Sequence, residues 1–341
     1  MADGQVKDQV DEAQERPRTR PLSVALAVLV VAAAVLALLA VASNIVRPKD
    51  NSPEAGIFDE RAYGMLGEPR DSLDVLFLGD SETASAFSAL QMWDEHGFAS
   101  YVCSSNGQQL MYTNSLLHLA LRDQSPKVVA FEANAFYAHF SVGDVLVRTA
   151  SDLFPVFEYH DRWKHLTPQD FTGPVQATWT DDMKGFKLLG GGVAAEAEGY
   201  MAPTDEVDAP SALSRLFVHM MVDYCRQKGA TPVFVGVPSA DSWSMARHNG
   251  VAQLAEAEGV DFVDLSFGDA KVDIDWSTET FDRVHLSIDA ASRVTHAYGD
   301  MLASAYDLPD HRGDPSYAAW DECLSRYEAA VSDLSSAAAE S

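Results

Sequence analysis

Asp74-Val75-Leu76-Phe77-Leu78-Gly79-Asp80-Ser81-Glu82-Thr83 changes character in its middle. The first half is an apolar run of β type. It stops at Gly79-Asp80-Ser81, and a polar, helix-compatible segment follows. A serine there can cap the helix, as serines commonly do. It can equally be a nucleophile held at the carboxyl end of a strand, where ligands bind in open α/β sheets. Alone, the stretch leaves both readings open.

Outward from this stretch the chain alternates strand and helix patterns. Val75–Leu78 reads as a buried strand and Glu82–His96 as a helix stopped by Gly97. Tyr101–Cys103 is a strand, Gln108–Arg122 a helix broken by Pro126, and 128–133 a third strand. Leu213–Lys228 is a helix ending at Gly229, Pro232–Val237 a strand, Ser242–Glu258 a helix ending at Gly259. Asp261–Leu265 is a strand and Ser287–Tyr306 the last long helix before Pro309. Strands separated by helices of this length predict an α/β fold whose parallel sheet is covered on both faces. Residues 135–210 interrupt the rhythm with Phe, Tyr, Trp, Pro and Gly in no clear period. An irregular segment of that length inside a domain predicts a lid or binding insertion.

Towards the N-terminus, no charged residue appears from Pro21 to Val46. That length exceeds the ~20 residues a transmembrane helix needs. Ala40-Val41-Ala42 would suit a signal-peptide cleavage site, but the run is longer than the usual ~7–15 residue signal core. An uncleaved anchor is therefore the better reading. Lys7, Arg16, Arg18 and Arg20 precede the run, against Arg47 and Lys49 after it, so a cytoplasmic N-terminus is expected. The organisation expected is a cytoplasmic tail over 1–20, a transmembrane signal anchor over 21–46 and a Gly/Pro-rich linker over 47–70. A catalytic domain follows over 71–309, carrying the 135–210 insertion, and then a C-terminal helix and tail over 310–341.

The chain has 341 residues, with 24 Lys and Arg against 51 Asp and Glu, a net charge of −27. This excludes a basic footprint for nucleic acid. The three cysteines, Cys103, Cys225 and Cys323, show no CxxC spacing and predict neither a zinc site nor a disulfide framework. No cofactor or metal is expected.

A nucleophilic serine needs a base. Phe281-Asp282-Arg283-Val284-His285 offers one immediately before the last long helix. An Asp three residues before a His can orient the imidazole, which then takes the serine proton. In a doubly wound sheet, this loop and the one holding Ser81 lie on the same carboxyl edge. Two further loops on that edge carry candidate oxyanion donors. Asn106-Gly107 lets a backbone N–H approach closely, and Glu132-Ala133-Asn134 supplies a side-chain amide. Each alone is ordinary turn chemistry. In the insertion, Tyr159, His160 and Trp163 are expected over the active-site mouth as weak substrate-binding candidates. His160 and His165 lack the further ligands a metal needs. His118 and His296 fall inside helices.

Together, Ser81 in Gly-Asp-Ser, Gly107, Asn134 and Asp282-x-x-His285 resemble the four blocks of the SGNH, or GDSL-type, hydrolase superfamily over roughly residues 72–307. The resemblance implies a flavodoxin-like three-layer α/β/α sandwich. It implies a Ser81-His285-Asp282 triad and an oxyanion hole from the Ser81 N–H, the Gly107 N–H and the Asn134 amide. Glu132-x-Asn134 stands where hydrolases usually have Gly-x-Asn-Asp, and Glu82 where Leu is usual. With the single anchor, this looks like the membrane-anchored branch that includes the DltD-type protein of teichoic-acid D-alanylation and the SGNH-like proteins of alginate O-acetylation. That branch implies acyl chemistry on a cell-surface glycan or polymer, outside the cytoplasm, beside a multi-spanning membrane-bound O-acyltransferase. A plain anchored esterase, or a non-catalytic glycan- or partner-binding module, would share the same motifs.

Overall fold

In the computed structural model, residues 21–340 are described. The expected tail over 1–20, with Lys7, Arg16, Arg18 and Arg20, lies outside the described residues, as does Ser341.

The apolar runs become five parallel strands: β1 (Val75–Gly79), β2 (Ser100–Ser104), β3 (Val128–Glu132), β4 (Thr231–Gly236) and β5 (Asp261–Asp264). Their order is β2-β1-β3-β4-β5, that of a flavodoxin-like doubly wound sheet. Every residue of β1, β2 and β3 is buried, because helices cover both faces of a parallel sheet. Besides a single helical turn at Glu60–Tyr63, the helices are α1 (Pro21–Val46), α2 (Ser81–Ala86), α3 (Ala89–His96), α4 (Leu110–Asp123), α5 (Val142–Leu153), α6 (Val156–Tyr159), α7 (Pro168–Thr172), α8 (Ala212–Gln227), α9 (Met245–Glu258), α10 (Ile288–Ala305) and α11 (Ala318–Glu340). The mutually packed helices α4, α8 and α9 form one outer layer. Helices α2, α3, α10 and α11 form the other. This is the α/β/α sandwich, and the strand order reverses between β1 and β3, beside the loop that carries Ser81.

The single helix expected over 82–96 is two helices. Phe87 is fully buried and stacks on Phe77 at 4.8 Å. Thr295 then replaces the interrupted helix bonds: its hydroxyl donates to the Ala86 carbonyl (3.0 Å) and accepts the Ser88 N–H (2.9 Å). Ser88 caps α3 by accepting the Gln91 N–H. Tertiary packing thus overrides a helical spacing that was locally sound.

Residues 47–70, expected as a linker, carry short helical turns whose Ala62 and Met65 join the core. Asn51 ties them to the insertion, its amide donating to the carbonyls of Tyr63 (2.9 Å) and Trp179 (2.6 Å). The insertion is less irregular than its composition suggests. Ser141 and Asp144 form a capping box that starts α5. The C-terminal helix is docked: Trp320 is 2% exposed and packs on Trp93, with ring centroids 5.2 Å apart. All three thiols are free and buried.

The helix α1 contains a stretch, Ser23–Val46, long and apolar enough to cross a membrane, with a mean hydropathy of 3.2 over an 18-residue window. Residues 23–38 of it are exposed.

Candidate active site

Gly79 ends β1 for a steric reason. A Cβ there would stand 2.0 Å from the Thr83 hydroxyl and 2.7 Å from the Glu132 Cβ. Asp80 turns the chain into α2 and caps it, accepting the Glu82 N–H at 2.9 Å. Ser81 is therefore the first helical residue. Its own N–H has no intrahelical acceptor, as at every helix start.

The base arrives from the loop before α10. An isolated antiparallel bridge pairs Thr280 with Leu286, and the Phe281 N–H donates to the His285 carbonyl at 2.9 Å. These close a tight turn in which Arg283 takes φ = +79°, a left-handed conformation unusual for a side chain this long. Asp282 accepts the backbone N–H groups of Val284 (3.2 Å) and His285 (2.9 Å). Its carboxylate then faces the His285 Nδ1 with both oxygens, at 2.7 and 2.9 Å. A carboxylate has no proton to give, so Nδ1 carries the hydrogen and Nε2 presents its lone pair. Nε2 stands 2.8 Å from the Ser81 hydroxyl. The structure thus places Ser81, His285 and Asp282 in series. Burial pushes the Asp282 carboxyl up, but the His285 backbone and ring and the Val284 N–H outweigh it and hold the group below its ordinary range.

Asn134 sits just past β3 and is 8% exposed. Arg247 of α9 donates to its Oδ1 at 2.6 Å, and the same guanidinium stacks over Tyr137, 4.3 Å from the ring centroid. A guanidinium only donates, so this contact fixes the amide with its oxygen towards Arg247 and turns its NH₂ to the opposite side, where the Glu82 carboxyl lies beside it. Gly107 has φ = +60°, with open space where a Cβ would be. It lines a cavity of about 370 Å³ next to the one of about 320 Å³ that holds Ser81; Ser105 and Asn106 line both.

The insertion candidates lie elsewhere. Tyr159 is buried and stacks on Phe58 at 5.4 Å; His160 and Trp163 are exposed. Phe58 lines the Ser81 cavity, but Tyr159, His160 and Trp163 do not. The walls there come from Phe58–Ala62 of the expected linker and from Gly185 and Lys187 of the insertion. No local pattern in those segments signals a role. His118 stacks on Tyr224 at 3.7 Å, and His296 pairs with Glu95 at 3.1 Å.

Beneath Ser81 lies a cluster of carboxyls. Glu132 is fully buried and accepts the N–H groups of Asn134 (2.6 Å) and Ala135 (3.1 Å). Glu82, 4% exposed, accepts the Ser242 hydroxyl at 2.6 Å, and its other oxygen is buried without a hydrogen-bond partner. Burial first, and the Asp80 carboxylate second, push Glu82 up to about 8 and Glu132 well above its ordinary range. Ser239 and Ser242 follow β4, and that strand-end position was the one available signal for them.

No protein-family model matches the chain, and no curated protein matches it. Solved structures similar to it include a GDSL-like lipase from Bacteroides thetaiotaomicron, 12% identical, covering 68% of this chain and 88% of that one, with a TM-score of 0.36. A lipase/acylhydrolase from Enterococcus faecalis is 8% identical over 69% of this chain and 97% of that one, at 0.36. The psychrotrophic esterase EstA from Pseudoalteromonas is 11% identical over 68% and 97%, at 0.34.

Proposed function

We propose that this chain is a membrane-anchored serine esterase of the SGNH type, working through an acyl-enzyme on Ser81. The observation that carries the reading is the hydrogen-bonded series from Ser81 Oγ through His285 to Asp282. His285 Nε2 takes the Ser81 proton as Oγ attacks an acyl carbonyl. Asp282 stabilises the imidazolium that forms. The oxyanion is met by the Ser81 N–H at the start of α2 and by the Asn134 amide, with the Gly107 N–H as the third donor. His285 returns the proton to the leaving alcohol. Water or an acceptor hydroxyl or amine then attacks the acyl-enzyme, and His285 serves again as base.

Transfer to a cell-envelope glycan or polymer is the finer proposal. It is supported by the resemblance carried by Glu132-x-Asn134 and by the apolar helix α1. With the N-terminus in the cytoplasm, the domain works outside it, supplied with acyl groups by a multi-spanning O-acyltransferase. A fluorophosphonate probe tests the catalytic part. The intact protein is expected to label, and Ser81→Ala to lose the label. Labelling that persists in Ser81→Ala would exclude the mechanism. No labelling of the intact protein would favour a non-catalytic module. Hydrolysis and transfer separate in the product: free acid in the first case, acylated acceptor in the second.

A further inference from the structure

We propose that the 135–210 insertion presents a membrane-contact face beside α1, and that its partner is the lipid bilayer at headgroup depth. This deepens the reading of α1 as a membrane span and rests on it.

The domain grips the end of α1. Leu39, Ala42, Ser43 and Val46 are covered wholly or in part and recur on one side of the helix. The covering elements are α6, the turn at His160–His165 and α7. The Val156 N–H donates to the Ser43 hydroxyl at 3.2 Å, and the Arg162 guanidinium donates to the Val46 carbonyl. Residues 21–38, before the grip, rise about 27 Å as an α-helix. That is close to the ~30 Å hydrocarbon thickness of a bilayer. The grip therefore begins where the hydrocarbon ends, and α6 and α7 stand at the interface.

The surface at that level carries large apolar side chains, with the exposed His160, Asp161, Lys164 and His165 around Trp163. Phe157, Trp163 and Phe171 are 49%, 65% and 54% exposed. On α5, Leu146 and Leu153 are 66% and 69% exposed. They lie two turns apart on one outward stripe, while Arg148 anchors the inner side to Glu158 at 2.7 Å. Phe154 and Phe157, with ring centroids 6.4 Å apart, join the end of α5 to α6. Exposed apolar residues gathered this way mark an interaction face, and tryptophan concentrates at membrane interfaces. A bilayer surrounding α1 meets Phe157, Trp163 and Phe171 at their own depth, because they belong to the elements that hold its last turns. Behind the face, the buried Tyr159 of α6 stacks on Phe58, which lines the Ser81 cavity.

The test uses the full chain in phosphatidylcholine/phosphatidylglycerol vesicles, with and without acyl chains brominated near the headgroup. The Trp163 fluorescence is obtained by difference from Trp163→Phe, whose fold is checked by its melting curve. The expected result is flotation with the vesicles and loss of most of the Trp163 component in brominated lipid. Flotation with an unquenched Trp163 that aqueous iodide still reaches would overturn the proposal and leave the span intact. Trp163 shielded from iodide only in native membranes would overturn it in favour of a protein partner. A chain that does not float would overturn the span reading, and this proposal with it.

Discussion

At the scale of the residue, the site depends on which groups keep their protons. Glu82 sits at about 8, above the ~4.3 of an exposed glutamate. Between those values the native state holds a proton that the unfolded chain has lost. Stability from Glu82 is therefore complete below about pH 4 and declines as pH rises towards about 8. Melting temperatures between those limits are expected to fall more steeply with pH for the native chain than for Glu82→Gln. Parallel curves would sink this assignment. Arg247 acts on the proposed oxyanion donor through Asn134. Releasing the amide with Arg247→Met is expected to lower kcat for a soluble ester by about 10–100-fold, as for a misplaced catalytic donor. KM should change little, and Arg247→Lys should restore part of the loss. A fall in stability alone, with kcat intact, would make Arg247 structural. Asp282→Asn should cost on the order of 10⁴-fold in turnover, because the imidazole loses its fixed tautomer. Ser81, Asp282 and His285 were legible in the sequence because short motifs present them at element ends. Glu82 and Arg247 were not, since their roles depend on neighbours 160 and 113 positions away.

At the scale of the element, the segments outside the alternating pattern are held by specific polar anchors. Lys184 and Glu68 form an ion pair at 2.7 Å with side chains 0% and 2% exposed, and Lys184 also lies over the Trp320 ring at 4.9 Å. One contact thus joins the insertion, the 47–70 segment and α11. Lys184→Met leaves the Glu68 carboxylate buried and unpaired, so a loss of roughly 3–5 kcal/mol is expected. The double change Lys184→Met/Glu68→Leu should recover much of it; chemical denaturation measures both. The same dependence on distant partners divides α2 from α3. Spacing alone predicts one helix, and Thr295, two hundred positions on, supplies the hydrogen bonds that permit two.

At the scale of the whole molecule, the sandwich is closed by its last element. Trp320, Cys323 and Tyr327 of α11 are all buried, and the Trp93 indole N–H donates to Asp321 at 3.1 Å. Ending the chain at residue 309 exposes Trp93 and is expected to cost several kcal/mol, since losing one large buried aromatic costs about 3–5. An unchanged melting temperature would show α11 to be dispensable. By itself, the sequence determined the alternation of strand and helix, the apolar run of α1, and the serine, aspartate and histidine at strand and helix ends. Those features depend on periodicities of two and 3.6 residues and on turn chemistry, which near neighbours set. The tertiary structure decided the strand order, the break after Ala86, and the wall that 58–62 builds beside Ser81. It also decided the burial that raises Glu82 and Glu132, and the side of α1 on which the insertion packs. Each of these depends on contacts between residues far apart in the chain, which no local pattern encodes.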